Sequence, residues 1–370
     1  MKIILVGPFP PLRGGISMFN HSLANELEKN HEVHRISFSL QYPKLLFPGK
    51  TQYFNFEGKP SKALINSINP FSWTKTANYI KKLSPDIIVF QYWMPFFAPA
   101  FNSIAKQVKK DCNVKIIVNC NNIKSHEPKP AEDIMTKSFF KNCDSFMVMS
   151  SAVEHDLKLL INNPNYKKSP HPIYEVFGEK VPKDIARTNL NLGNEKIILH
   201  FGLIRDYKGL DILIKAAKTI KNKIDNFKIL VVGECYENEE KYINLVNKLN
   251  LKDIFDFRFE FIPNEKVNNY FCASDLVVLP YRSATQSGII PIAYHFDKPV
   301  VVSNVGGLPE IVLTGKSGFI CEPNSEDLSK TIINFFENNQ TMFSEFISTY
   351  KKEFSWHTFT NNLLELTKHD

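Results

Sequence analysis

The stretch Asp275–Glu310, DLVVLPYRSATQSGIIPIAYHFDKPVVVSNVGGLPE, constrains the fold more than any other part of this chain. Leu276–Leu279 is a short, unbroken apolar run of the kind buried on both faces of a parallel sheet. Ser283–Gly288 is small and polar and predicts a loop. Ile289–Phe296 predicts a helix, and Pro299–Ser303 a second buried strand. A loop that leaves the carboxyl end of a strand and enters a helix offers free backbone N–H groups to an anion.

The same alternation runs through the rest of the chain. In the first half, strands are expected at Lys2–Val6, Asp86–Gln91, Val114–Asn119 and Ser145–Met149, with a helix from about Ile16 to Lys29. In the second half they are expected at Lys196–Phe201, Phe227–Val232, Phe257–Phe261, Leu276–Leu279 and Val300–Ser303, with helices at Leu210–Ile220 and Glu237–Leu249. Strands separated by helical segments give doubly wound parallel sheets. A length of 370 residues favours two of them. The expected division is a domain over 1–180, a second over 181–353, and a terminal amphipathic helix over 354–370 that packs back toward the first. The polar, Pro-containing segment Asn162–Thr188 is the expected linker. Ligands of such sheets bind at the carboxyl ends of the strands, here in a deep cleft between domains.

Composition narrows the function classes. Hydrophobic residues make up 43% and charged residues 22% of the chain, as in a soluble globular protein. No apolar run is long enough to span a bilayer. The opening MKIILVGPFPP is not expected to act as a secretory signal. The six cysteines are scattered without a C-x-x-C pair, so reduced thiols, a cytoplasmic location and no metal site are expected. Charge is uneven. Residues 1–180 hold 23 Lys+Arg and 14 Asp+Glu, a net of +9, and the remainder 22 and 24, a net of −2. A basic first half suggests an anionic partner. Nucleic-acid motifs are absent, so a phosphate-bearing acceptor or the inner face of an anionic membrane fits better.

Two loops carry the chemistry. In FGLIRDYKGLDILI, the strand ends at Phe201–Gly202, and Arg205 and Lys208 follow on one tight loop. A planar guanidinium and a point-charge ammonium so placed can converge on a diphosphate. In GPFPPLRGGIS, Gly14 and Gly15 allow close backbone approach and open a helix. No G-x-G-x-x-G is present, which disfavours a nicotinamide enzyme. Gly315-Lys316-Ser317 resembles the tail of a phosphate-binding P-loop, but the first glycine of that motif would fall at Glu310. Solvated loop charges are the alternative for Arg205 and Lys208.

Together, GPFPPLRGG, FGLIRDYKGLDILI, VVGE at Val231–Glu234 and the Asp275–Glu310 block resemble glycosyltransferase family 4, whose members are retaining enzymes of the GT-B fold with two Rossmann-like domains. The resemblance covers nearly the whole chain. It implies a nucleotide-diphosphate sugar as donor substrate, no further cofactor and no bound metal. It implies Arg205 and Lys208 as catalytic groups that stabilise the leaving diphosphate, with His126 on the acceptor side. Donor-binding positions would be Gly14, Gly15, Gly202, Gly233, Ile262, Thr285, Gln286, Ser287, Gly288 and Ile289. The amides of Ser287–Ile289 would face sugar and diphosphate, and the Ile262 backbone would hold the base. The acceptor would be a glycan or lipid-linked glycan, with Tyr92, Trp93, Phe96 and Phe97 as candidates for its apolar wall or for ordinary core packing.

The chain departs from the family pattern. Two glutamates eight positions apart are usual, and Ala284 and Ile292 stand in those places. The usual His near the end of the Val114–Asn119 strand is replaced in Asn121-Asn122. A non-catalytic, GT-like binding subunit and a GT-B nucleotide-sugar epimerase therefore stand as alternatives to a transferase. His171 and His200 are expected to be structural.

Overall fold

A computed structural model of the chain describes residues 1–44, 47, 51–125, 131–337 and 340–368. The chain forms two compact units, Met1–His171 with Trp356–Asp370, and Pro172–Ser355. Each is a parallel sheet flanked by helices.

The sheet of the first unit has seven strands: β1 (Lys2–Val6), β2 (Glu32–Leu40), β3 (Lys62–Asn66), β4 (Ile87–Tyr92), β5 (Lys115–Cys120), β6 (Ser145–Val148) and β7 (Tyr166–Lys168). Their order is β3-β2-β1-β4-β5-β6-β7, and every pairing is parallel. The strand order reverses between β1 and β4, the switch point at which open α/β sheets bind ligands. Helix α1 (Gly15–Glu28) follows β1, α2 (Pro70–Leu83) follows β3, and α3 (Ala98–Asp111) follows β4. The last helix, Trp356–Glu365, packs on α1, with the Phe19 ring 5.0 Å from Trp356 and 5.5 Å from Phe359.

Strands β2, β3 and β7 of this sheet, and one edge strand of the second, Gly318–Cys321, are not apparent from hydrophobic pattern. In β2, Arg35 interrupts the apolar run, yet it is buried because its guanidinium meets Asn25 at 2.7 Å and Glu28 at 3.0 Å, both on α1. That pairing across elements satisfies a charge the local sequence makes look exposed. Of the aromatic residues considered for an acceptor wall, Tyr92 and Phe97 are fully buried and Trp93 nearly so. The Tyr92 hydroxyl is 2.7 Å from Thr136 Oγ1. These three are core side chains; Phe96 alone of the four is half-buried.

The second unit has six parallel strands: β8 (Lys196–Phe201), β9 (Phe227–Val232), β10 (Phe255–Arg258), β11 (Leu276–Leu279), β12 (Val300–Ser303) and β13 (Gly318–Cys321). Their order, β10-β9-β8-β11-β12-β13, reverses between β8 and β11. The expected strand Phe257–Phe261 begins two residues earlier and ends at Arg258. Its ladder stops at the Arg258–Val232 pair, and the Glu260 N–H turns back onto the Arg258 carbonyl at 2.9 Å. Ser317, the end of the P-loop-like tripeptide, is fully buried. Its Oγ is 2.8 Å from the Tyr294 hydroxyl and accepts from the Leu313 N–H at 2.9 Å, a structural role.

Candidate functional site

The switch point of the second sheet brings together the loops that leave β8, β9, β11 and β12. The β8 strand ends in Phe201, and Gly202 donates its N–H to the Val232 carbonyl at 2.9 Å. Gly202 has φ +107°, and a Cβ there would lie 3.1 Å from Lys208 Nζ and 3.2 Å from Ile289 Cδ1. Gly202, Lys208 and Ile289 therefore meet at one point. The β8 and β9 exits are laced by Ile204 N–H to Glu234 O at 3.0 Å and Tyr236 N–H to Ile204 O at 3.1 Å. Gly233 sits directly on the Gly202 carbonyl, where any side chain would overlap it.

Lys208 closes a 3-10 turn, Asp206–Lys208, and is 8% exposed. Its Nζ lies 5.5 Å from the centre of the Tyr281 ring. Among the described residues it makes no ion pair. Burial, with Arg205 adding to it, lowers its pKa to about 8. Arg205 is exposed, with its guanidinium 5.1 Å from the Tyr236 ring, and it too has no carboxylate partner among the described residues. The acid between them, Asp206, is engaged by Lys241 at 2.8 Å. Two cations three residues apart thus remain without a counter-charge, and a buried unpaired ammonium is costly until an anion joins it.

His200, on β8, is buried. Burial, and secondarily Lys208, lowers its pKa to about 4, so it is neutral at physiological pH. Its Nδ1 lies 3.2 Å from the Val278 carbonyl, which assigns the proton to Nδ1. A neutral imidazole adds no charge beside Lys208, consistent with a structural role.

Two residues that sequence reasoning missed hold this arrangement. Arg282 donates to the Asp206 carbonyl and to Asp211 Oδ1, both at 2.6 Å, and its backbone N–H donates to Tyr207 O at 2.7 Å. It clamps the turn that carries Lys208 to the exit loop of β11. Lys215 at 2.9 Å and Arg282 hold the Asp211 carboxyl below its usual range although burial works against ionisation. Tyr281 is buried, and its ring faces Lys208 and Tyr207. The PYR at 280–282 was the available signal: an aromatic and a cation directly after a buried strand.

The remaining candidates fall as follows. Ser287 is tied to the cluster through Ile289, whose side chain meets Gly202. The Ile289 amide, expected to face a ligand, donates to Ser287 Oγ at 3.2 Å, two residues before it, at the start of the short helix Ile289–His295. Gly288 directly precedes that helix. Thr285 accepts from the Gly307 N–H at 3.2 Å through its carbonyl, and Gln286 is half-buried beside it in sequence. Gly306, with φ +51°, lies where a Cβ would overlap the Ala284 carbonyl, so the Gly-Gly turn after β12 seats the 284–288 loop. Ile292 is buried at 4% exposure, so an apolar core contact occupies the place of the second glutamate. Ile262 is buried after β10, two strands from β8 in the sheet. Gly14, at φ +121°, and Gly15, which begins α1, belong to the first unit. His126 lies outside the described residues.

Residues 182–353 match the family model of glycosyl transferases group 1. An uncharacterised glycosyltransferase of Methanocaldococcus jannaschii is 24% identical over 367 residues, covering 96% of this chain and 95% of the relative. The N-acetyl-alpha-D-glucosaminyl L-malate synthase of Bacillus anthracis is 25% identical over 328 residues, covering 84% and 81%. Among solved structures, Anabaena HepE in complex with UDP superposes with a TM-score of 0.76 at 19% identity, over 100% of both chains. Both parallel sheets are those of the GT-B fold.

Proposed function

Because this chain carries a glycosyl transferases group 1 domain over residues 182–353, we propose that it moves a sugar from a nucleotide-diphosphate donor to an acceptor hydroxyl, with retention at the anomeric carbon and without a bound metal. The observation that carries this reading is Lys208, a buried ammonium with no carboxylate partner among the described residues, with Arg205 three positions before it. That is the site a diphosphate completes. In the proposed reaction the bond from the anomeric carbon to the β-phosphate oxygen breaks and a bond to the acceptor oxygen forms on the same face. The acceptor proton passes to the leaving diphosphate. Lys208 and Arg205 act as catalytic residues by stabilising charge as it develops on that leaving group. Gly202 and Gly233 let the backbone approach it, and Ser287 and Gly288 border the sugar. One structural neighbour and one sequence relative support the donor class: HepE is described in complex with UDP, and the synthase of Bacillus anthracis is named for a glucosaminyl product.

The acceptor we propose is a glycan or lipid-linked glycan of surface polysaccharide or glycolipid synthesis, bound by the basic first unit near Gly14 and Gly15. His126 is proposed on that side. Ala284 and buried Ile292 favour one second reading, a GT-like subunit that binds a nucleotide-sugar and transfers it slowly or not at all.

The test is a thermal-shift screen against nucleoside diphosphates and nucleotide-sugars, with and without chelator, followed by incubation of the stabilising donor with glycan acceptors. Acceptor-dependent release of nucleoside diphosphate supports transfer. Stabilisation without turnover supports the binding subunit, and donor conversion without acceptor would point to an epimerase. No stabilisation by any nucleotide overturns the donor site.

A further inference from the structure

The first unit holds two large apolar side chains out in solvent at one place. Phe71 is 86% exposed and Ile68 55% exposed. Both stand where the chain leaves β3 and enters α2, and the loop is fixed by its own bonds. Asn69 Oδ1 accepts from the Phe71 N–H at 3.0 Å, Ser72 Oγ meets the Asn66 backbone, and Trp73 Nε1 donates to Asn66 O at 2.7 Å. With Pro70 at the first turn, Phe71 is presented outward by a rigid tip rather than by a loose loop.

The rest of α2 continues from that tip. Phe71, Lys75, Asn78 and Lys82 recur at helical spacing and all are exposed, while Thr76, Ala77 and Ile80 are buried beneath. No acidic residue lies on α2. On α3, which packs beside it through Thr74–Gln107 at 3.4 Å and Lys81–Asp111 at 2.8 Å, Lys106 and Lys110 are also exposed. Among the described residues Lys75, Lys82 and Lys106 make no ion pair, whereas Lys81 and Lys109 are paired with Asp111 and Asp144.

We propose that this face docks on an anionic lipid bilayer, with Ile68 and Phe71 entering the interface and Lys75, Lys82 and Lys106 lying among the headgroups. Free cations beside outward apolar side chains fit a surface that is anionic at its border and hydrocarbon beneath. A phosphate backbone would satisfy the lysines and leave Phe71 and Ile68 in water. Among the described residues no helix is long and apolar enough to cross a membrane. Because every strand of this sheet is parallel, the tip lies at the same carboxyl edge as Gly14 and Gly15. Docking would therefore present that edge to acceptors embedded in the membrane. This last step rests on the proposed transferase reading; the docking itself does not.

The experiment is flotation of the full chain with phosphatidylcholine vesicles, with and without phosphatidylglycerol, at low and high salt. Co-flotation is expected only with phosphatidylglycerol, weakened by salt. Ile68→Ser/Phe71→Ser and Lys75→Glu/Lys82→Glu should each lower the partition coefficient roughly tenfold or more. The melting temperature and its shift with nucleoside diphosphates, read in parallel, should be unchanged in both variants. No binding to phosphatidylglycerol vesicles, or undiminished binding by Ile68→Ser/Phe71→Ser, overturns the proposal. So does a concentration-dependent dimer, seen by light scattering and abolished by the same variant, since a second copy would then cover the tip. A missing nucleotide shift with intact flotation removes the donor reading and leaves the docking standing.

Discussion

The Lys208 ammonium fills the space that a side chain on Gly202 would need: a Cβ on the glycine would stand 3.1 Å from Nζ. The end of a strand and the end of the following turn are thereby fitted to one another. The backbone of one and the charge of the other face the same small volume.

Gly202→Ala should therefore damage binding before it damages the fold. At φ +107° a Cβ costs roughly 1–3 kcal/mol of backbone strain, and it must also push Lys208 or Ile289 aside. We expect a modest fall in melting temperature with a larger, at least tenfold, loss of nucleoside diphosphate affinity by calorimetry. Wild-type affinity in a folded Gly202→Ala protein would remove Gly202 and Lys208 from the phosphate site.

Lys208→Met should raise the stability of the unliganded protein while abolishing stabilisation by nucleotide. Burial depresses the lysine pKa from 10.5 to about 8. Between these values the unfolded chain holds a proton that the native chain does not, so stability rises with pH across that window. Below pH 8 the penalty is fully present, about 3 kcal/mol at ~1.4 kcal/mol per unit. Urea denaturation of both proteins at pH 7 checks this. A less stable Lys208→Met protein with an intact nucleotide response would contradict it.

The same titration predicts a pH dependence of binding. A diphosphate prefers the protonated lysine, so affinity should hold below pH 8 and decline as pH rises through it. Calorimetric titration on either side of pH 8 reads this directly, and the decline should vanish in Lys208→Arg, whose charge persists. A flat profile in the wild type would show that Lys208 does not meet the ligand.

Arg282→Ala should act through the turn it clamps. Losing the bonds to Asp206 O and Asp211 frees the Asp206–Lys208 turn from the β11 exit. We expect stability to fall by roughly 1–2 kcal/mol, since the side chain is partly solvated, and kcat/KM to fall about tenfold. Arg282→Lys should recover little, because one ammonium cannot span both acceptors as the guanidinium fork does. Full rescue by lysine would reduce the clamp to a simple charge effect.

Much of the fold could be read from the chain because its central strands are short, predominantly apolar runs. Lys2–Val6, Lys196–Phe201, Phe227–Val232 and Leu276–Leu279 appear in the structure with the limits their hydrophobicity indicates. The strands that escaped notice are those whose burial depends on distant partners. β2 carries Arg35, neutralised by α1, and β13 is four residues long and paired along its length with β12. In the site, Arg205 and Lys208 were visible as cations after a strand, but Arg282 and Tyr281 were not. Their roles exist only because the β8 and β11 exits are neighbours, and strand order is not written in any local window.

The sequence by itself determined the alternation of strands and helices, the two halves, the charge asymmetry and the loop with its two cations. These follow from side-chain period and composition, which act over a few residues. Tertiary structure decided the strand order, the burial that lowers the Lys208 pKa, the seating of Ala284 under Gly306, and the exposure of Phe71. Those depend on which surfaces lose water to which others, and desolvation is a property of the packed chain, not of any segment of it.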